Sequence, residues 1–246
     1  MKLTILTDIP PEFNVARIMA KPGLADFAET MGGIDSLLDQ ARRTGKPKAC
    51  FAISVIGEKG GNYIAINGEM FESRILRVNI EGIDSAALFV ATCGVELQEW
   101  AESFSDFLMR FLAEEICEEA LRISIDFLEK KIDALLGGKN LSTMNPGSLE
   151  DWPLVEQKPL FRALGDVTGA IGVKLTESCL MLPRKSVSGI RFSSPQPFCD
   201  CLLCPREDCP GRQANFDPHL FEIKYSGARH GGLYPEGCDQ GRMVNQ

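Results

Sequence analysis

The cysteines between residues 199 and 209 are the part of this sequence with the clearest capacity for chemistry. Cys201-x2-Cys204-x4-Cys209 places three thiols on one short segment, with a proline directly after two of them. Iron–sulfur clusters are commonly held by a short loop of this kind together with one remote cysteine. The spacing therefore predicts a cluster bound by Cys201, Cys204 and Cys209.

Two further cysteines compete for the fourth position on such a cluster. Cys199 is separated from Cys201 by one residue, and in an extended segment their side chains would point to opposite sides. Cys238 lies in a tail without hydrophobic periodicity, and metal ligation would offset the entropy of ordering that tail. The sequence favours Cys238 as the fourth ligand, with Cys199 as the alternative.

Zinc and unligated thiols are the other interpretations of the cysteine segment. Structural zinc sites more often use two Cys-x2-Cys pairs or add histidines, and this chain has only His219 and His230. The pattern favours a cluster and leaves the other two interpretations open. The remaining cysteines lie in apolar stretches and are expected to be packed core residues; these are Cys50, Cys93, Cys117 and Cys179.

Composition narrows the class of protein and of partner. The chain has 246 residues, of which 44% are hydrophobic and 24% charged, as in ordinary soluble proteins. Its net charge of −8 argues against binding to nucleic acid or to an anionic membrane surface. Residues 1–8 are too short for a secretory signal and reach an acidic residue too early, and no long apolar run follows. We therefore expect a cytoplasmic protein, in which clustered thiols stay reduced and indicate metal or redox chemistry.

Hydrophobic periodicity predicts a mixture of helices and strands. Strands are expected at residues 3–7, 49–56, 63–66, 86–92, 171–175 and 186–192. Helices are expected at residues 24–43, 71–78, 95–136 (with a kink) and 156–164. Residues 140–152 contain turn chemistry and are predicted to be a loop. We expect two units, a folded domain over residues 1–198 and a cluster-binding segment over residues 199–246.

One stretch has a specific resemblance to a known family. Residues 174–189 read Lys-Leu-Thr-Glu-Ser-x2-Met-x-Pro-x2-Ser-Val-Ser-Gly and closely resemble the reactivation domain of cobalamin-dependent methionine synthase. Residues 101–104, Ala-Glu-Ser-Phe, are similar to a helix start in that domain, and residues 145–147 match the end of its Arg-Pro-Ala-Pro-Gly-Tyr loop. The resemblance covers about residues 86–194, and free-standing relatives with a C-terminal cysteine motif are similar too. It implies an α+β fold, a twisted antiparallel sheet with long helices, followed here by a loop-rich cysteine tail.

The resemblance also implies a cofactor surface, since the family presents S-adenosylmethionine to an oxidised corrinoid. Thr143 and Ser148 stand where the family has arginine and tyrosine, and threonine cannot supply the planar fork that binds a carboxylate. Weak or absent S-adenosylmethionine binding is therefore predicted, although the acidic contact is retained as Glu102. The cofactor-binding residues are expected to be Glu102, Gly147, Ser148, Thr176, Glu177, Ser178, Met181, Ser186 and Ser188. The surface near Gly147, Ser148, Met181 and residues 186–188 would face the corrin.

Simpler structural roles are available for several of these residues. Thr176, Ser178 and Ser188 could satisfy backbone groups in turns. Met181 could fill the core, and Glu177 could be a surface charge.

Together the cysteine loop and the resemblance predict a corrinoid-binding iron–sulfur protein that passes one electron from a 4Fe–4S cluster to cobalt. It would reactivate Co(II) for methyl transfer, as a redox activator rather than a methyltransferase. Its partners would be a corrinoid or a corrinoid-carrying methyltransferase protein and a low-potential electron donor. A cobalamin binding or storage protein with a tuning cluster, and a zinc-stabilised interaction module, are the alternatives.

Overall fold

A seven-stranded antiparallel sheet forms the centre of the computed structural model, which describes residues 2–20, 34–137, 140–209 and 211–226. The strands are β1 Thr4–Leu6, β2 Lys48–Lys59, β3 Tyr63–Ile66, β4 Glu69–Glu72, β5 Ser85–Thr92, β6 Leu141–Met144, β7 Lys174–Leu175, β8 Met181–Leu182 and β9 Ser186–Ser193. Their order is β4-β3-β2-β5-β9-β6, with β1 also paired to β2. Strands β7 and β8 form a separate small hairpin.

Helices cover both faces of this sheet. They are α1 Val15–Met19, α2 Asp35–Thr44, α3 Arg74–Asn79, α4 Val95–Glu102, α5 Phe107–Leu136, α6 Gln157–Leu164 and α7 Val167–Ile171. Short 3₁₀ turns occur at Leu154–Glu156 and Asp200–Leu202, and a π-helical turn at Phe221–Tyr225. Within the described ranges, no helix has the length and apolar character needed to cross a bilayer.

Alternation along the central strands divides the apolar side chains between two cores. Cys50 and Leu88 lie in the core that α3, α6 and α7 cover, whereas Phe51 and Phe89 lie in the core that α2, α4 and α5 cover. This is the two-residue period of a sheet that is buried on both faces. The α+β class with an antiparallel sheet, predicted from the sequence, is confirmed.

The cysteine-rich segment packs on the first of these cores. Leu202, Leu203 and Cys204 contact its edge, and Leu220 and Tyr225 are buried within it. The described part of the tail therefore contributes apolar surface to the same core as the main sheet.

The predicted long helix is two helices with a complete break between them. Asp106 caps α5 by accepting a hydrogen bond from the Met109 N–H at 2.8 Å, and the left-handed Gly137 ends α5 at φ 64°. Glu102, expected at a helix start, is instead the last residue of α4. That expectation was wrong because the capping aspartate starts the next helix four residues later.

Three other predicted elements differ from the structure. Strand β6 lies inside the predicted loop at residues 140–152, because its partner β9 is remote in sequence. The predicted strand at residues 171–175 instead contains the last residue of α7 and the whole of β7; Asp166 caps that helix and Gly172 ends it. The predicted helix at residues 71–78 starts too early. Residues 71 and 72 belong to strand β4, and the helix begins at Arg74.

Several predictions for individual segments are confirmed. Helix α2 overlaps the predicted helix at residues 24–43 from residue 35 and extends one residue beyond it, whereas residues 21–33 lie outside the described ranges. All four cysteines expected in the core are buried and free, namely Cys50, Cys93, Cys117 and Cys179.

Candidate functional site

Asn145 joins the predicted cofactor loop to two other parts of the chain. Its N–H donates a hydrogen bond to Asp200 Oδ2 at 3.3 Å, and its Nδ2 donates to the Ser188 carbonyl at 2.8 Å. Gly147 and Ser148, which follow it, are exposed. The structure thus brings a predicted cofactor loop, strand β9 and the start of the cysteine segment together at one junction.

The start of the cysteine segment is further fixed along strand β6. Ser142 Oγ accepts a hydrogen bond from the Phe198 N–H at 2.8 Å, and Thr143 forms a parallel bridge with Cys199. Cys199, the alternative fourth ligand, is buried at this bridge and is disulfide-bonded, so it is not a free thiol. The segment therefore leaves the sheet edge in a defined direction, directly beside the exposed cofactor loop.

Asp200 is a buried carboxyl group at the same junction. Burial raises its pKa to about 7, while hydrogen bonds from the Asn145 N–H and the Ser148 hydroxyl act in the opposite direction. Its Oδ1 is buried and has no hydrogen-bond partner among the described residues. A polar side chain with one satisfied oxygen thus separates Cys199 from Cys201, and nothing in the sequence pattern singled it out.

The three cysteines predicted as ligands lie on one half-buried loop and are free thiols. The Gln213 N–H points at Cys201 Sγ, 3.4 Å away, and hydrogen bonds of this kind to sulfur are among the contacts that tune clusters. Partly exposed thiols are suitable donors for iron or another soft metal. Within the described residues, however, no three Cys, His, Asp or Glu side chains are arranged to hold a metal ion. Cys238, the favoured fourth ligand, lies outside those residues.

The hairpin at residues 174–182 satisfies its own polar groups. Thr176 Oγ1 lies 3.0 Å from Ser178 Oγ and accepts a hydrogen bond from the Leu180 N–H at 3.0 Å. Met181 is half-buried against the core, and Glu177 is exposed. The structural roles considered for Thr176, Ser178 and Met181 fit these contacts, and Glu177 and Ser178 remain available at the surface.

The two serines of strand β9 that were predicted to line the cofactor surface are also engaged or buried. Ser186 Oγ lies 2.7 Å from the Pro183 carbonyl and 2.8 Å from Thr92 Oγ1. Ser188 is 2% exposed, and its Oγ has no partner within the described part of the chain. A ligand on the surface would reach these serines only after local movement.

Glu102 lies beside Arg184, a residue of the turn between strands β8 and β9. Its Oε1 accepts a hydrogen bond from Gln98 Nε2 at 2.7 Å and lies 3.7 Å from Arg184 Nη2, which also pairs with Glu114 at 2.5 Å. This network lies at an open depression of about 580 Å³ lined by Phe107, Arg110, Phe111, Glu114, Arg184 and Lys185. Sequence reasoning missed Arg184, since nothing in the pattern distinguishes it from an ordinary surface arginine.

Arg191 is a buried arginine that sequence reasoning also missed. It projects from β9 beside Thr143 and donates to Thr143 Oγ1 at 2.6 Å. The same guanidinium pairs with Glu129 at 2.8 Å and with Asp133 at 2.6 Å. Two carboxylates therefore occupy the guanidinium beside Thr143, the position at which the resemblance places the family's arginine. The available signal was one charged residue between the apolar Ile190 and Phe192.

These contacts support the prediction that S-adenosylmethionine binds weakly or not at all. The carboxylate of that ligand would have to displace Glu129 or Asp133 from Arg191, because Thr143 offers only a hydroxyl. A charge-assisted hydrogen bond is worth about 1.5–3 kcal/mol, so the missing pair lowers affinity by two or more orders of magnitude. Calorimetric titration should show no binding at micromolar ligand, and a micromolar dissociation constant would contradict the prediction.

Gly189 allows Asn145 to reach strand β9. A Cβ at this position would lie 2.6 Å from Asn145 Nδ2, 2.7 Å from the Met144 carbonyl and 2.7 Å from Phe89 Cζ. Gly189→Ala is expected to lower the free energy of unfolding by about 1–3 kcal/mol, because a crowded core must move. Urea denaturation measures this loss. Gly61→Ala, where a Cβ meets nothing within 4 Å, should change stability by less than about 0.5 kcal/mol; equal losses in the two variants would contradict the prediction.

Comparison with known proteins shows that the chain is similar to one domain, in sequence and in structure. The family model for the vitamin B12 dependent methionine synthase activation domain matches residues 151–198. A crystal structure of the MetH reactivation domain bound to AdoHcy aligns with a TM-score of 0.61, covering 79% of this chain and 79% of that chain at 16% identity. No curated protein sequence matches the chain. This chain therefore resembles the activation domain of vitamin B12 dependent methionine synthase, in its fold and in the sequence of residues 151–198.

Proposed function

We propose that this chain acts on a corrinoid and passes one electron to its cobalt, returning inactive Co(II) to Co(I) for methyl transfer. Its resemblance to an activation domain supports a corrinoid as the substrate. The corrinoid would be free or carried by a methyltransferase protein, and the electron would come from a low-potential donor protein.

The contact between Asn145 and Asp200 is the observation that carries this proposal. It joins the exposed loop at Gly147 and Ser148 to the cysteine loop, although the two are 55 residues apart in sequence. A corrinoid that lies on Gly147 and Ser148 would therefore lie beside the thiols. An electron donor must be close to its acceptor, and this junction supplies that proximity.

The metal group in this proposal is a 4Fe–4S cluster on Cys201, Cys204 and Cys209, with Cys238 as the fourth ligand, or alternatively Cys199 once its disulfide is reduced. When bound, such a cluster supplies one electron at low potential. The thiols fit the group by chemistry, and the Gln213 N–H would stabilise the negative charge on Cys201 Sγ. Because these thiols do not form a metal-binding group in the described residues, ligation requires the loop to close.

Reduction of cobalt tests the proposal directly. The protein is reconstituted anaerobically with iron and sulfide, reduced, separated from excess reductant and mixed with Co(II)alamin. The absorption spectrum of Co(I) should appear, and a variant with serine at Cys201, Cys204 and Cys209 should give none. Protein that takes up iron but leaves Co(II) unchanged would contradict electron transfer. Tight cobalamin binding without reduction would support a storage protein, and bound zinc in place of iron an interaction module.

A further inference from the structure

Arg212 contacts the backbone of all three cysteines of the loop. Its Nη1 donates to the Cys201 carbonyl at 3.4 Å, its Nη2 donates to the Cys204 carbonyl at 3.1 Å, and its own N–H donates to the Cys209 carbonyl at 3.1 Å. The guanidinium also donates to the carbonyls of Ala214, at 3.0 Å, and Arg206. Arg212 thus donates hydrogen bonds to five carbonyls between residues 201 and 214.

This arrangement differs from an ordinary surface arginine in two ways. The side chain is half-buried, and within the described residues its guanidinium donates hydrogen bonds to carbonyls rather than to carboxylates. The planar fork of an arginine can hold two carbonyls at fixed separation, which the single ammonium of a lysine cannot do.

Loop closure around a metal is costly when the loop is free, because the backbone of each ordered residue loses about 1–2 kcal/mol of conformational entropy. Because the carbonyls of the three cysteines share Arg212 as their donor, these parts of the backbone are held close together before any metal binds. The remaining change needed for ligation is then smaller than for a free loop of the same length.

We propose that Arg212 is the positioning residue of the cysteine loop, holding Cys201, Cys204 and Cys209 in one turn so that their thiolates can close on a soft metal. This role rests on the proposed function for the identity of the metal group. It does not depend on a corrinoid or on electron transfer, and it is a property of the metal-free chain.

Metal-free protein and cadmium ions test this role. Arg212→Gln removes the fork and the charge, and Arg206→Gln removes the same charge from an exposed side chain of the same loop. Hydrogen exchange of peptides from residues 199–213 should be at least about tenfold faster in Arg212→Gln and unchanged in Arg206→Gln. Titration with Cd²⁺, followed by thiolate-to-cadmium absorption, should show an affinity at least about tenfold lower in Arg212→Gln alone. Thermal unfolding of the metal-free variants verifies that both still fold.

Arg212→Lys separates positioning from charge. It keeps the positive charge without the fork, so its cadmium affinity should stay close to that of Arg212→Gln. Full recovery by lysine would overturn the positioning role, and so would unchanged exchange or unchanged cadmium affinity in Arg212→Gln. Wild-type protein that binds no Cd²⁺ through these thiols would instead overturn the metal site of the proposed function. Faster exchange in Arg212→Gln would then leave the arginine only as a support of the loop.

Discussion

Replacing Arg191 with methionine is expected to lower the free energy of unfolding by about 3–5 kcal/mol, the range for breaking one side of a buried ion pair. The Arg191 side chain is 5% exposed and holds Glu129 and Asp133 of helix α5 against strand β9. Methionine fills similar space but leaves two carboxylates facing each other without a cation. Urea denaturation at neutral pH measures the loss.

The loss in Arg191→Met should depend on pH in a defined direction. Burial raises the pKa of Glu129, and Arg191 is the largest influence that lowers it. Without the arginine, the folded-state pKa of this carboxyl rises further above its unfolded value. Stability is then lost as pH rises from the unfolded to the folded pKa and is regained as pH falls. The deficit of the variant should therefore shrink between neutral pH and mildly acidic pH.

Arg162→Met provides a matched control for this measurement. Arg162 pairs with Glu69 at 2.7 Å, but its side chain is 59% exposed, so solvent screens the pair. Its loss should cost no more than about 1 kcal/mol and should vary little with pH. Similar losses in the two variants would contradict a structural role for the Arg191 cluster.

The sequence was most informative where the signal is local. Strand β5 and helix α6 follow directly from apolar runs and helical spacing, and the four core cysteines follow from their apolar neighbours. Strand β6 could not be found in this way. Its four residues have little β-propensity pattern, and the pairing with β9 that makes them a strand involves residues about 50 positions later.

The same distinction applies to the candidate site. The spacing of the cysteines marked the loop, and the resemblance marked Gly147 and Ser148, but neither indicated that Asn145 joins the two regions. Asp200, Arg191 and Arg212 act through contacts with residues brought near by folding or by a turn. A single sequence contains no record of such contacts, so their roles became visible only with the fold.

Serine in place of Cys201, Cys204 or Cys209 is expected to have the largest effect on metal content. Loss of one of four thiolates should weaken metal binding by on the order of a hundredfold, because each ligand supplies a large share of the binding free energy. Iron and sulfide analysis after anaerobic reconstitution measures the change. Cys179→Ser removes a buried thiol outside the loop and should retain the wild-type iron content.

The identity of the fourth ligand is tested by comparing Cys238→Ser with Cys199→Ser. Cys238 is favoured because three close cysteines and one remote cysteine are a common arrangement for clusters. Cys199 lies beside strand β6 at the bridge to Thr143 and is disulfide-bonded, so both reduction and a change of direction would be needed for its sulfur to join Cys201. Cys238→Ser should therefore lose iron and alter the low-temperature electron resonance of the reduced cluster, whereas Cys199→Ser should keep both. The reverse pattern would assign the fourth position to Cys199 and place the metal site against the sheet edge.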